Sequence, residues 1–138
     1  MSVSSTSTTT GGVATARGFR AAGISAGIKP GRKLDLALVV SEMPATAAAV
    51  FTLNKAQAAP VLVSKQHLIA SRGTVRAIVV NSGCANACTG DAGLSDAREM
   101  AAETANLAGC PIEQVLVAST GVIGVGLPMV SLNRPIML

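Results

Sequence analysis

Two short stretches hold the groups best placed for chemistry. One reads Asn81-Ser82-Gly83-Cys84-Ala85-Asn86-Ala87-Cys88-Thr89-Gly90, all small or hydrogen-bonding side chains; the other reads Ser119-Thr120-Gly121-Val122-Ile123-Gly124-Val125-Gly126 and is rich in glycine. In the second, the Thr120 hydroxyl and the Gly121 N–H are adjacent donors, and such a pair can hold an oxyanion. A nucleotide-binding α/β domain is an alternative for a glycine-rich turn after a strand. It fits less well, because the glycines run G-x-x-G-x-G and Leu127-Pro128 interrupts where a phosphate-binding helix would begin.

In the first stretch, the simplest role for Asn81 and Asn86 is to satisfy turns, with the cysteines packed as small hydrophobic groups; the sharper role is an active-site wall. Cys84 would need a base to act as a nucleophile. The single histidine, His67, lies on another element, and no spacing joins the two. A metal site would need Cys84, Cys88, Cys110 and His67 to converge from three elements, so no metal is expected.

The elements that must carry these stretches follow from pattern. Residues 17–29 read as an extended segment ending in the turn Pro30-Gly31, and 34–41 and 47–53 as two paired strands separated by Pro44. A short apolar run covers 59–63, and a helical turn covers 64–69. The run 74–80 predicts a strand buried on both faces, ended by Asn81-Ser82-Gly83. A helix is predicted over 95–107, capped by Ser95 and stopped by Gly109 and Pro111, with Ala97, Met100, Ala101, Thr104, Leu107 and Ala108 as its buried stripe. A strand over 115–118 then presents Ser119-Thr120-Gly121 as a surface turn. Strand, helix and strand in that order define an α/β domain.

Composition narrows the function classes. With 138 residues and 49% hydrophobic content the chain builds one core without disulfides, and three cysteines are an odd number that suits a reduced, cytoplasmic compartment. The net charge of +4 invites nucleic acid, but no Trp, no Tyr and two Phe leave no stacking platform, and the bases form no run. No nucleic-acid partner is expected. Residues 114–133 carry no charge, yet their glycines and Pro128 suit a buried strand and turn rather than a membrane span. Residues 1–16 read as a disordered leader without a targeting pattern, 17–129 as the domain, and 130–138 as a divergent tail.

Six blocks, in order, carry a resemblance. Arg17-Gly18-Phe19-Arg20-Ala21-Ala22-Gly23, Asp35-Leu36-Ala37-Leu38-Val39, Pro44 to Thr52, Ala58-Ala59-Pro60-Val61-Leu62, the first stretch above apart from Cys84, and Ser119 to Gly124 of the second resemble the N-terminal, α-chain part of the bifunctional glutamate N-acetyltransferase (ornithine acetyltransferase) family. The resemblance implies part of a layered α-β-β-α sandwich with mixed sheets. It also implies acetyl transfer from N-acetylornithine, and in some members from acetyl-CoA, to L-glutamate through an acetyl-threonine intermediate, with no resident cofactor. The family's precursor cleaves itself into α and β chains, which implies an α2β2 heterotetramer. The family's oxyanion donors correspond to Thr120 and Gly121. No threonine of 1–138 lies in the family's cleavage context, so the chain is expected to supply the oxyanion hole and not the nucleophile. The alternative is a non-catalytic truncated fragment with sheet edges left open.

Overall fold

The computed structural model describes residues 11–129. The chain runs β1 (Phe19–Ile24), β2 (Leu36–Thr46), α1 (Ala59–Ala70), β3 (Thr74–Cys84), α2 (Gly90–Ala108) and β4 (Val115–Val122), with single 3₁₀ turns at Val13–Thr15 and Ile112–Gln114. The four strands form one mixed sheet in the order β1-β2-β3-β4. The β1–β2 and β2–β3 pairings are antiparallel, and β3 and β4, joined through α2, are parallel.

Alternation along the strands decides which face is covered. Leu36, Leu38 and Val40 of β2, Ala77 and Val79 of β3, and Val115 and Val117 of β4 point into one core. There they meet Ala59 and Val63 of α1 and Ala97, Met100, Ala101 and Ala105 of α2, so both helices contribute to that core. The small residues of α2 let its backbone approach the sheet closely. The intervening residues Val39, Val80, Leu116 and Ala118 are half-buried, and Ala37 and Ile78 are exposed. The structure is thus a mixed α/β domain: one sheet and its helical layer.

Several expectations give way to longer-range effects. Residues 47–53 form no strand, and Val50 and Leu53 are 99% and 98% exposed, because β2 already pairs with β1 on one side and β3 on the other. β2 instead runs on to Thr46 through a register shift between Val40 and Ala45. The apolar run and helical turn over 59–69 are a single helix, α1, with Pro60 in its first turn, where its missing N–H costs nothing. α2 begins at Gly90, five residues before the predicted Ser95 cap, and Ser95 is an exposed residue inside it. Gly109 does end α2, in the left-handed conformation (φ 61°, ψ 46°). Ala105 and Gly93 replace Leu107 on the buried stripe, Leu107 is 49% exposed, and Ala108 is half-buried. Residues 1–10 of the expected leader and the tail 130–138 lie outside the described residues.

Two polar contacts tie α1 to the outer side of β4. The Ser64 hydroxyl donates to the Val117 carbonyl (2.7 Å) and accepts the Val117 N–H (2.8 Å), and one turn later His67 Nδ1 lies 2.8 Å from the Val115 carbonyl. The carbonyl can only accept, so His67 carries a proton on Nδ1. These contacts satisfy backbone groups that an edge strand otherwise presents to solvent.

The turn between β1 and β2 is organised around a buried acid. Asp35 Oδ1 accepts the Ala26 N–H (2.6 Å) and Oδ2 the Lys29 N–H (2.8 Å), and Asp35 is 3% exposed. Burial pushes its carboxyl up, but the backbone donors of Lys29, Ala26, Ile28 and Gly27 outweigh burial and hold it below its ordinary value of 3.8. Its contribution to stability is therefore present above that value and fades as pH falls through the lowered one. Asp35→Asn replaces one acceptor by a donor facing a backbone N–H. It should cost about 1–3 kcal/mol in denaturant unfolding at neutral pH. The gap to the parent should narrow as pH drops below the ordinary carboxyl range, and a gap that stays constant would contradict this account.

Candidate active site

The parallel pairing of β3 with β4 brings the two singled-out stretches together. Ser82 is in register with Thr120, Gly83 with Gly121, and Cys84 with both Thr120 and Val122 across an irregularity. Beyond the strands the loops stay joined: Ala85 N–H donates to the Val122 carbonyl (2.9 Å), Gly124 N–H to the Ala87 carbonyl (2.8 Å), and the Cys84 thiol to the Val125 carbonyl (3.1 Å). The carboxyl ends of adjacent parallel strands are where α/β folds place ligands.

Thr120 and Gly121 sit differently from the predicted turn. β4 runs on through Val122, and β3 through Cys84, so both residues are still strand backbone, although both are exposed. Each strand gains length because the other is there to pair with it. At the crossing the backbones nearly touch. A Cβ on Gly121 (φ 134°) would overlap the Gly83 carbonyl carbon and lie 2.6 Å from the Cys84 nitrogen, so only glycine fits. Among the described residues the Thr120 hydroxyl has no hydrogen bond, and Ser82 stands beside it in register.

Asn81 and Asn86 build the floor. Asn81 is fully buried, and its Nδ2 donates to the Cys84 carbonyl (2.9 Å), which holds the irregularity at the end of β3. Its Oδ1 and the hydroxyl of its cross-strand neighbour Ser119 are buried and unpartnered among the described residues. Asn86, also fully buried and in the left-handed conformation (φ 46°), donates from Nδ2 to the Gly93 carbonyl (2.8 Å) and accepts the Thr89 hydroxyl at Oδ1 (2.7 Å). Its own carbonyl accepts the Ala59 N–H (3.2 Å) at the start of α1. The first turn of α2 requires Gly93, because a Cβ there would collide with Thr89 Oγ1 and Asn86 Oδ1. Asn86 and Cys84 thus have the turn-satisfying and packing roles the sequence suggested.

Cys84 and His67 do not meet. Cys84 is buried at the carboxyl end of the β3–β4 pair, whereas His67 is bonded at Val115, the opposite end of β4. The three cysteines are free: Cys84 buried, Cys110 half-buried and Cys88 exposed. Ser64 carried no signal in local sequence, since its role is defined by Val117, far along the chain.

A mixed α/β domain that presents paired hydrogen-bond donors at the end of two parallel strands is the class that this geometry defines. The ArgJ family model matches residues 20–137, and the chain belongs to the ArgJ family. It is 57% identical over 119 residues to the arginine biosynthesis bifunctional protein ArgJ of Gloeobacter violaceus, covering 86% of this chain and 29% of that protein. To the protein of the same name from Halalkalibacterium halodurans it is 54% identical over 120 residues, covering 87% and 29%. Among solved structures, ArgJ of Bacillus halodurans superposes with a TM-score of 0.83 at 50% identity, over 88% of this chain and 62% of that one. Ornithine acetyltransferase of Mycobacterium tuberculosis, complexed with ornithine, gives 0.81 at 48% identity, over 88% and 65%. The chain therefore spans less than a third of the length of these two curated relatives.

The Gly121 crossing yields a test. Gly121→Ala forces β3 and β4 apart where their backbones touch, and overpacking of this kind costs about 1–3 kcal/mol. Amide exchange in that variant should quicken at residues 82–85 and 120–122 before it quickens at Val79 or Val117. Uniform loss of protection, or none, would contradict the close approach.

Proposed function

We propose that this chain is the amino-terminal, α-chain part of an arginine-biosynthesis acetyltransferase, and that it supplies the oxyanion donors of the reaction. The carrying observation is the pair Thr120 and Gly121, exposed at the carboxyl end of the parallel strands, in a chain that belongs to the ArgJ family. The donor is N-acetylornithine, the acceptor L-glutamate, and acetyl-CoA is a second acetyl donor; no resident cofactor is required. The ornithine bound to the Mycobacterium tuberculosis relative supports this substrate class.

The nucleophile is a threonine hydroxyl at the amino terminus of a β chain from the same precursor, outside this sequence, and the working assembly is an α2β2 heterotetramer in the cytoplasm. No helix among the described residues is long and apolar enough to cross a membrane. The threonine oxygen attacks the acetyl carbonyl, and the carbonyl oxygen gains charge. The Thr120 hydroxyl and the Gly121 N–H stabilise that charge as it develops. Collapse expels the ornithine amine, which takes up a proton. Glutamate's amine then attacks the acetyl-threonine, the same two donors hold the second oxyanion, and the threonine hydroxyl is restored. Pairing of β4 with β3 fixes the donors before reaction, so little reorganisation is needed.

Two preparations test this: residues 1–138 coexpressed with the remaining segment of the Gloeobacter violaceus relative, and a chimera carrying 17–129 in that relative. Either should exchange acetyl between N-acetylornithine and glutamate, and Thr120→Ala should lower the rate by roughly 10²–10³. An active preparation whose rate ignores Thr120→Ala would overturn the assignment. Residues 1–138 by themselves should show no exchange.

A further inference from the structure

We infer that the turn between β1 and β2 is a binding site for an anionic group, a phosphate or a carboxylate, of a small ligand. Charge along the sequence points there. Residues 17–41 hold five of the eleven bases, Arg17, Arg20, Lys29, Arg32 and Lys33, and one of the seven acids, Asp35; the other six bases and six acids balance, so the whole net charge of +4 rests on this segment.

The fold gives that charge a receptacle. Ser25, Gly27, Lys29 and Arg32 line an open cleft of about 460 Å³, larger than a carboxylate needs and ample for a phosphate. Asp35, the one acid within the segment, cancels one of its five positive charges and leaves four. Its two oxygens are taken by the Ala26 and Lys29 backbone N–H groups, and neither the Lys29 nor the Arg32 side chain has an ion-pair partner among the described residues. The turn is tied to Asp35 at Ala26 and Lys29, and within it Gly27 and Gly31 adopt φ of 90° and 77° and Arg32 adopts 56°, a left-handed conformation that a glycine would take with less strain. A guanidinium and an ammonium lining one polar cleft suit an oxyanion ligand. The cleft also lies beside the candidate active site. The Lys29 side chain crosses Gly83, its Cγ and Cε 3.0 and 3.7 Å from where a Cβ would stand, and Gly83 is in register with Gly121.

Anion binding is read on residues 1–138 directly, so it stands or falls apart from acetyl transfer. The ¹⁵N-labelled chain is titrated at low ionic strength with inorganic phosphate, pyrophosphate and acetate, against potassium chloride at matched ionic strength. Saturable amide shifts confined to 25–32 are expected. Tighter saturation by phosphate or pyrophosphate identifies a phosphoryl ligand, and tighter saturation by acetate a carboxylate. Lys29→Gln and Arg32→Gln should each weaken binding about ten-fold, whereas Lys65→Gln should not. Shifts no larger than those from chloride, or equal responses around Lys55, Lys65 and Arg98, would overturn the site, and this wild-type comparison decides even where a variant unfolds.

Discussion

Parallel pairing of β3 with β4 sets the terms for the rest of the molecule. It joins residues 77–84 to 115–122 across a long separation in sequence, so its backbone hydrogen bonds form only once α2 has carried the chain back over the sheet. At its carboxyl end the two backbones approach so closely that Gly121 admits no side chain. Thr120 and Gly121 are displayed there because the strand on one side is rigid and the loop on the other is tied to it at Val122 and Ala87.

That pairing leaves the far side of β4 as an edge, and α1 covers part of it with polar groups. Ser64 bonds both backbone groups of Val117, and His67 bonds Val115, so a helix does the work of another strand. The core between sheet and helices contains no aromatic side chain. Small and branched residues make it up instead, with Ala97, Ala101 and Ala105 of α2 in the same core as Ala77, Val79 and Val117 of the sheet. Beside the carboxyl end of β3, where its carbonyl accepts the Ser82 N–H, Asp35 performs a related task, gathering turn N–H groups that would otherwise be buried without acceptors.

Local chemistry made much of this legible. The apolar run of β3, the stop at Gly109 and Pro111, and the stripe Ala97, Met100, Ala101 and Thr104 follow from periodicity and capping that neighbours in sequence enforce. Thr120 and Gly121 were legible as an adjacent hydroxyl and N–H, but the turn expected for them after a strand gave way to β4, which pairing with β3 extends to Val122. The strand proposed over 47–53 failed because β-branched content measures suitability for a sheet and not the presence of a partner. The late start given to α2 has a similar cause. Thr89 stands at its N-cap without a side-chain bond into the helix, and the first turn is secured by Asn86 instead.

The sequence by itself determined the class of the domain, the order of its central elements and the small, polar or glycine-rich character of the two stretches that follow the apolar runs of β3 and β4, since each depends on residue types within a few positions. Only the tertiary structure decided where strands end, which residues stand side by side, and what satisfies each buried polar group. Those properties belong to contacts between distant segments: Ser64 with Val117, Gly83 with Gly121, Asn86 with both helices. Hydrogen bonds and steric contact act over a few ångströms in space, and no distance along the chain reports them.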